Sequence, residues 1–175
     1  KEKGIVELIK SCSILVEKGF NFELNIVGNF DKGNRSFLLK SDIDTLITDH
    51  KKIKYLGHQN NMRKLYSNAD LIVLPSWREG LSRSLLEAAS MECAIITTNV
   101  PGCNDIIDHG ENGLLVPLKD EKALSLAIEL LLKNKSFSKK IGKNARKKVL
   151  KNFDEKIIIK KTLEIYEKII SQKIA

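Results

Sequence analysis

Apolar runs with no polar partner face, alternating with amphipathic stretches of helical period, predict an α/β domain. Its expected core is a doubly wound, Rossmann-like parallel sheet. LIVL at 71–74 and AII at 94–96 are such runs, and strands covered by helices on both faces lose the in–out alternation of a half-exposed sheet. Strands that alternate with helices imply βαβ units and therefore parallel pairing. The 175 residues, 42% hydrophobic and 30% charged, suit one soluble globular domain with a real core.

The elements follow in order. Ile5, Leu8, Ile9, Cys12, Leu15 and Val16 recur at helical spacing, and Gly19 sits at the stop. FNFELNIVGN alternates and runs into a tight turn at Val27-Gly28, a strand signal. Residues 36–48 read as helix, IKYLG at 53–57 as a short strand, and 60–67 as a short helix. ADLIVLPS is an apolar strand, 83–92 a helix, AIITT at 94–98 a strand, and GLLVP at 113–117 a last strand. Three amphipathic helices are expected near 120–133, 136–150 and 155–171. The last carries a wide apolar face from Ile158 to Ile170, read either as core packing or as a surface turned toward another domain. No internal repeat or Pro/Gly linker divides the chain, so residues 1–175 are expected to form one domain.

The formal net charge of +8 is unevenly placed. Residues 133–175 hold 14 Lys and Arg against 4 Asp and Glu, whereas residues 1–132 hold 16 against 18. A solvated helical face is the simplest reading of the basic helices at 133–175. An anionic membrane surface is the second partner they allow. Nucleic acid is excluded as the expected partner, because aromatics are sparse there and no recognition motif is present. No run approaches the ~20 apolar residues of a membrane span. Cys12, Cys93 and Cys103 are far apart, odd in number and without metal-ligand spacing to His50, His58 or His109. They read as reduced thiols of a cytoplasmic protein, with a peripheral place on the inner membrane face allowed by the basic tail. KEKGIVELIK opens without methionine and already in helical pattern, so a piece of a longer protein is expected.

Ligands of doubly wound sheets bind beyond the carboxyl ends of the strands. The turns after Val27, Leu56, Leu74 and Thr98 should therefore share one rim, which brings Gly28, Gly57 and His58 into the candidate site. The richest stretch is PSWREGLSRSLLEAAS at 75–90. Gly80 is read as a residue permitting an unusual backbone, and Ser82 as a helix N-cap. The first helical N–H groups, around Arg83, Ser84 and Leu85, would face the rim unpaired, a site fit for phosphate. Arg83 would add charge. Glu87 lies one turn on, stacked over Arg83 and Ser84. A carboxylate there suits two vicinal hydroxyls, as in a ribose, and a surface ion pair with Arg83 is the plainer reading. Glu79 alone reads as a loop surface charge.

Glu79 and Glu87 together form an E-x7-E pattern that resembles the signature of retaining glycosyltransferases of the GT-B fold, the group-1 or GT4-like family. The resemblance covers almost the whole chain. EKG at the start is similar to the end of the family's R-x4-K-G segment, and ELNIVGN to its strand ending in glycine. IKYLGHQNNMRKLYSNADLIVLPSWREGLSRSLLEAAS and TTNVPGCNDIIDHGENGLLVP resemble the two following blocks in order and spacing. Such proteins have two Rossmann-like domains with the active site between them, and this chain resembles the C-terminal, donor-holding half. An N-terminal domain outside this chain is therefore an implied partner.

The resemblance implies that Lys3 neutralises the diphosphate of a nucleotide-sugar, and its usual arginine partner in the family would stand five residues earlier. It implies that Glu79 contacts hydroxyls of the transferred sugar and Glu87 those of the ribose. Leu81, Ser82, Arg83 and Ser84, with Gly80, would cradle the diphosphate, and Gly57 and His58 would border the base. Ser82 stands where the family often has Gly or Pro, and Asp105 where glutamate is common. The implied reaction is retaining sugar transfer from a donor of the UDP-sugar type to a polysaccharide or lipid-linked acceptor. No metal or other cofactor is expected, and the chain alone should bind donor weakly and turn over nothing. Other GT-B enzymes, such as a nucleotide-sugar epimerase or a phosphorylase, and a non-catalytic nucleotide-binding or membrane-docking module are the alternatives. A phosphorylase would need a cofactor lysine site that the sequence does not show.

Overall fold

The computed structural model describes residues 2–29, 40–47 and 52–174. Seven helices and five strands lie among them: α1 (Ile5–Glu17), β1 (Leu24–Val27), α2 (Lys40–Leu46), β2 (Ile53–Gly57), α3 (Met62–Asn68) and β3 (Leu71–Leu74), followed by α4 (Arg83–Ser90), β4 (Ala94–Thr98), β5 (Leu114–Val116), α5 (Glu121–Lys133), α6 (Lys135–Asn152) and α7 (Glu155–Ile174). The order is the expected one. Of the helix read over 36–48, only 40–47 fall within the described residues, and His50 lies outside them.

Every ladder is parallel, as the strand–helix alternation requires. β1 pairs with β2, Leu24 opposite Ile53. β4 lies between β3 and β5, with Leu71 opposite Ala94 and Ile96 opposite Leu114. Among the described residues the hydrogen-bonded pairs thus form two sheets rather than one continuous sheet, but one core joins them. Ile26 and Ile53 share a buried cluster with Ala94, Ile96, Leu114 and Val116.

The covering of both faces can be read from β4 alone, all of which is buried. Successive side chains of a strand point to opposite faces. Ala94 and Ile96 pack with Ile9 and Leu15 of α1 and with Leu124 and Ile128 of α5. Ile95 packs on the other side with Leu85, Ala88 and Ala89 of α4 and with Ala145 and Val149 of α6. That arrangement is the doubly wound one, and it explains why AII carries no polar residue. The α4–α6 packing is close because Gly142 lets the helix backbone approach the turn after α4. A Cβ at that position would lie 2.1 Å from the Glu92 carbonyl oxygen.

Helix ends differ from the sequence reading in small, explicable ways. α4 stops at Ser90, and Glu92 adopts φ 60, so Met91 and Glu92 form a turn and not a last helical turn. α3 begins at Met62, where the Asn61 side chain caps the Lys64 N–H. α6 starts one residue early because the Asn134 side chain caps the Phe137 N–H. Its lysines at 139, 140, 143, 147 and 151 are exposed. α7 corrects the core-packing reading: Ile158, Ile159, Leu163, Ile165, Tyr166 and Ile170 all stand exposed. Among the described residues no helix is long and apolar enough to cross a membrane.

Candidate functional site

The parallel register of β3 and β4 brings their carboxyl ends side by side. Two threonines then bind them together beyond the ladder. The Thr97 hydroxyl donates to the Leu74 carbonyl at 2.7 Å, and the Thr98 hydroxyl donates to the Ser76 carbonyl. Ser76, Thr97 and Thr98 are buried, so the loop leaving β3 starts from a fixed point. The Ser76 hydroxyl donates to Oε1 of Glu79 at 2.6 Å.

A second support comes from the chain start. Gly4 caps α1 at φ 70, and a Cβ there would fall 2.0 Å from the Pro75 carbonyl oxygen. Only glycine allows this approach. The Trp77 N–H donates to the Glu2 carbonyl at 2.8 Å, and Arg78 pairs with the Glu2 carboxylate at 2.9 Å. These contacts deliver Lys3 to Glu79, 76 positions away, at 2.6 Å. The Glu79 side chain is 11% exposed and that of Lys3 61%. The carboxylate is thus nearly buried and the ammonium reaches water, so the pair is a partly screened one.

Gly80 corrects one expectation. It does not hold a positive φ; Gly102 does, at φ +80. A Cβ on Gly102 would lie 1.6 Å from the Gly80 carbonyl oxygen and 2.7 Å from that of Glu79. Asp105 holds that turn, its carboxylate accepting from the Gly102 N–H at 2.9 Å. The glycine-requiring position is therefore the one opposite the loop, and Asp105, to which the sequence reading gave no role, is its clamp.

Ser82 occupies the N-cap position of α4 with extended backbone, φ −73 and ψ 106, but its hydroxyl makes no capping bond. Its carbonyl accepts from the Leu86 N–H at 3.2 Å. The first N–H groups of α4, at Arg83, Ser84 and Leu85, therefore lack a side-chain cap, and Arg83 and Ser84 are exposed beside the exposed Leu81. Glu87 is exposed, and its partner is the hydroxyl of Tyr66, which donates to Oε2 at 3.1 Å. Among the described residues no ion pair joins Glu87 to Arg83, so the plainer surface-pair reading is replaced by a hydrogen bond from a buried tyrosine.

The other predicted members form a separate group. The Gly28 N–H donates to the Gly57 carbonyl at 3.0 Å, and the Tyr55 hydroxyl donates to the Gly28 carbonyl. Gly57 has φ +67, and His58 is exposed beside it. The rim thus consists of a β1–β2 end and a β3–β4 end, and the described hydrogen bonds and ion pairs stay within each. Ser76, Thr98, Tyr66 and Gly102 were not singled out from sequence; Tyr66 stood in the quoted YSNAD without a role. Among the described residues no group of three or more His, Cys, Asp or Glu is gathered as for a metal ion.

The site is thus built on an α/β domain of the doubly wound parallel type, with an uncapped helix start between two anchored carboxylates, Glu79 and Glu87. The family model of glycosyl transferases group 1 matches residues 1–148, and the chain belongs to that family. It is 34% identical over 172 residues to the capsular polysaccharide biosynthesis glycosyltransferase CapM of Staphylococcus aureus, covering 98% of this chain and 44% of CapM. It is 33% identical over 168 residues to the N,N'-diacetylbacillosaminyl-diphospho-undecaprenol alpha-1,3-N-acetylgalactosaminyltransferase of Campylobacter jejuni, covering 96% of this chain and 42% of that enzyme. A glycosyltransferase from Rickettsia africae superposes with TM-score 0.86 at 28% identity, over 97% of this chain and 45% of its own. The Anabaena protein HepE, solved with UDP and glucose, superposes with TM-score 0.85 at 20% identity, over 95% of this chain and 45% of its own, a likeness of fold. The chain spans less than half the length of these relatives.

Proposed function

We propose that this chain is the donor-binding domain of a retaining glycosyltransferase that uses a UDP-sugar and a polysaccharide or lipid-linked acceptor. One observation carries the reading: two carboxylates, each fixed by a different buried hydroxyl, flank an uncapped helix start. Glu79 is held by Ser76 and Glu87 by Tyr66, and Arg83 to Leu85 lie between. Carboxylates suit the hydroxyls of a sugar and a ribose, and free helical N–H groups suit the diphosphate that joins them. The capsular polysaccharide biosynthesis named for CapM and the diphospho-undecaprenol substrate named for the Campylobacter enzyme support the acceptor class, and the UDP held by HepE supports the base.

In the proposed reaction the carbon–oxygen bond to the diphosphate breaks and the acceptor oxygen joins the same face of the anomeric carbon. Negative charge grows on the leaving diphosphate. The N–H groups of α4, Arg83 and Lys3 stabilise it, which is electrostatic catalysis by preorganised donors. Lys3, now on Glu79 and largely exposed, has the freedom to share itself with a phosphate. Glu79 acts by positioning the sugar, and orientation of this kind accounts for a large share of rate. The acceptor's proton leaves to the departing diphosphate or to a base outside this chain.

Calorimetric titration with UDP, GDP and their sugar conjugates, beside Glu87→Ala, tests the reading. Binding of uridine ligands and a loss of about 1–3 kcal/mol in the variant are expected for a charged hydrogen-bond partner. Equal binding by wild type and variant would sink the assignment of Glu87.

A further inference from the structure

We propose that Tyr66 is a positioning residue of the donor site, holding Glu87 in the orientation that receives the ribose. The inference rests on the ribose reading of Glu87 above. Tyr66 lies on α3, is 6% exposed, and belongs to the buried cluster that contains Leu85, Ala88 and Ala89 of α4. Its ring therefore packs under the very helix whose exposed face carries Glu87, and only its hydroxyl reaches the carboxylate. Its backbone carbonyl accepts from the Cys93 thiol at 3.3 Å, which ties the end of α3 to the start of β4. The anchor is thus built into the core and is not another mobile surface group.

An exposed glutamate on a helix has a competing partner. Arg83 stands four residues before Glu87, one turn away, where an ion pair is geometrically open. Such a pair would withdraw the carboxylate from a ribose and the guanidinium from a diphosphate at once. The Tyr66 hydroxyl occupies Oε2 and leaves Oε1 to accept from a ligand. A phenol also outlasts changes of pH. Burial foremost, and then the adjacent Glu87 charge, push the Tyr66 hydroxyl upward, so it keeps its proton and keeps donating.

The test is a titration of wild type, Tyr66→Phe, Glu87→Gln and the double variant with UDP and with 2′,3′-dideoxy-UDP. Phenylalanine keeps the buried ring and removes only the donor. Tyr66→Phe is expected to weaken UDP about 3- to 10-fold, the effect of one hydrogen bond. It should leave dideoxy-UDP unchanged, and the double variant should bind UDP no more weakly than Glu87→Gln alone. A merely structural role would weaken both ligands alike. If Tyr66→Phe affects both ligands equally or neither, while Glu87→Gln weakens UDP and leaves dideoxy-UDP unchanged, the inference about Tyr66 is overturned and the ribose reading survives. If wild type itself does not separate UDP from its dideoxy form, the ribose reading falls and takes the inference with it.

Discussion

Gly102→Ala is the sharpest probe of the loop that carries Glu79. The residue sits at φ +80, where an L side chain costs about 1–2 kcal/mol. The added methyl would also fall 1.6 Å from the Gly80 carbonyl oxygen and 2.7 Å from that of Glu79, against backbone that has no side-chain rotation to yield. The two segments must part by more than an ångström, and the Gly102–Asp105 hydrogen bond at 2.9 Å is strained with them, a further ~1 kcal/mol. The sum is about 2–4 kcal/mol, which for a domain of this size lowers the melting midpoint by about 5–12 °C. Gly110→Ala is the control. It has nearly the same φ, +79, but a Cβ there meets nothing within 4 Å, so it should cost the backbone term alone, about 2–6 °C. Melting curves followed by circular dichroism measure both. Gly102→Ala should also reduce the preference for UDP-sugar over UDP, because Glu79 is the displaced residue. Equal midpoints for the two variants, with ligand preference intact, would refute the contact between Gly102 and Gly80 as the reason for glycine.

Gly142→Ala carries an unusual sign. Alanine in the middle of a helix ordinarily gains about 1 kcal/mol over glycine. In α6 the new methyl would stand 2.1 Å from the Glu92 carbonyl oxygen, so urea denaturation should show a loss of stability; a more stable variant would refute the close approach. The buried thiols predict an alkaline weakness. Burial pushes Cys12 up to about 12 and Cys93 up to about 11 from 9.0, so both hold their protons longer in the folded chain than in the unfolded one. Their contribution to stability is fully present below pH 9 and is lost as pH rises toward 11 and 12. Urea midpoints measured from pH 8 to 11 should fall, and fall less in Cys12→Ala; parallel curves would count against the burial of that thiol.

The sheet was legible because its signals are local. LIVL and AII are apolar at every position, and the structure places Ala94 and Ile96 on one face of β4 and Ile95 on the other, each under helices. The helix starts at Asn61, Asp120 and Asn134 follow from side chains that cap N–H groups three residues on. α7 was less legible, because periodicity shows an apolar face but not what lies against it; the face from Ile158 to Ile170 stands exposed among the described residues.

The site divides along the same line. Glu79, Glu87 and Lys3 could be chosen by resemblance, with the two glutamates set around a helix start. What holds them could not, because apart from Ser76, three residues before Glu79, the supports come from distant parts of the chain. Ser76 is fixed by Thr98, 22 positions on; Tyr66 reaches Glu87 across 21 positions; and Lys3 reaches Glu79 across 76. The misplaced glycine shows the same cause. Gly80 looked like the residue needing freedom, since it stands in the loop, yet the demand arises where Gly102 presses on it from β4's exit turn. Local spacing therefore nominates candidate groups, whereas packing decides which conformer each one keeps. Because Ser76 and Tyr66 are both buried and both end in a hydroxyl, the two carboxylates are oriented before any ligand arrives. Each conformer fixed in advance removes an ordering cost from binding, so variants of the anchors should weaken the donor without touching it.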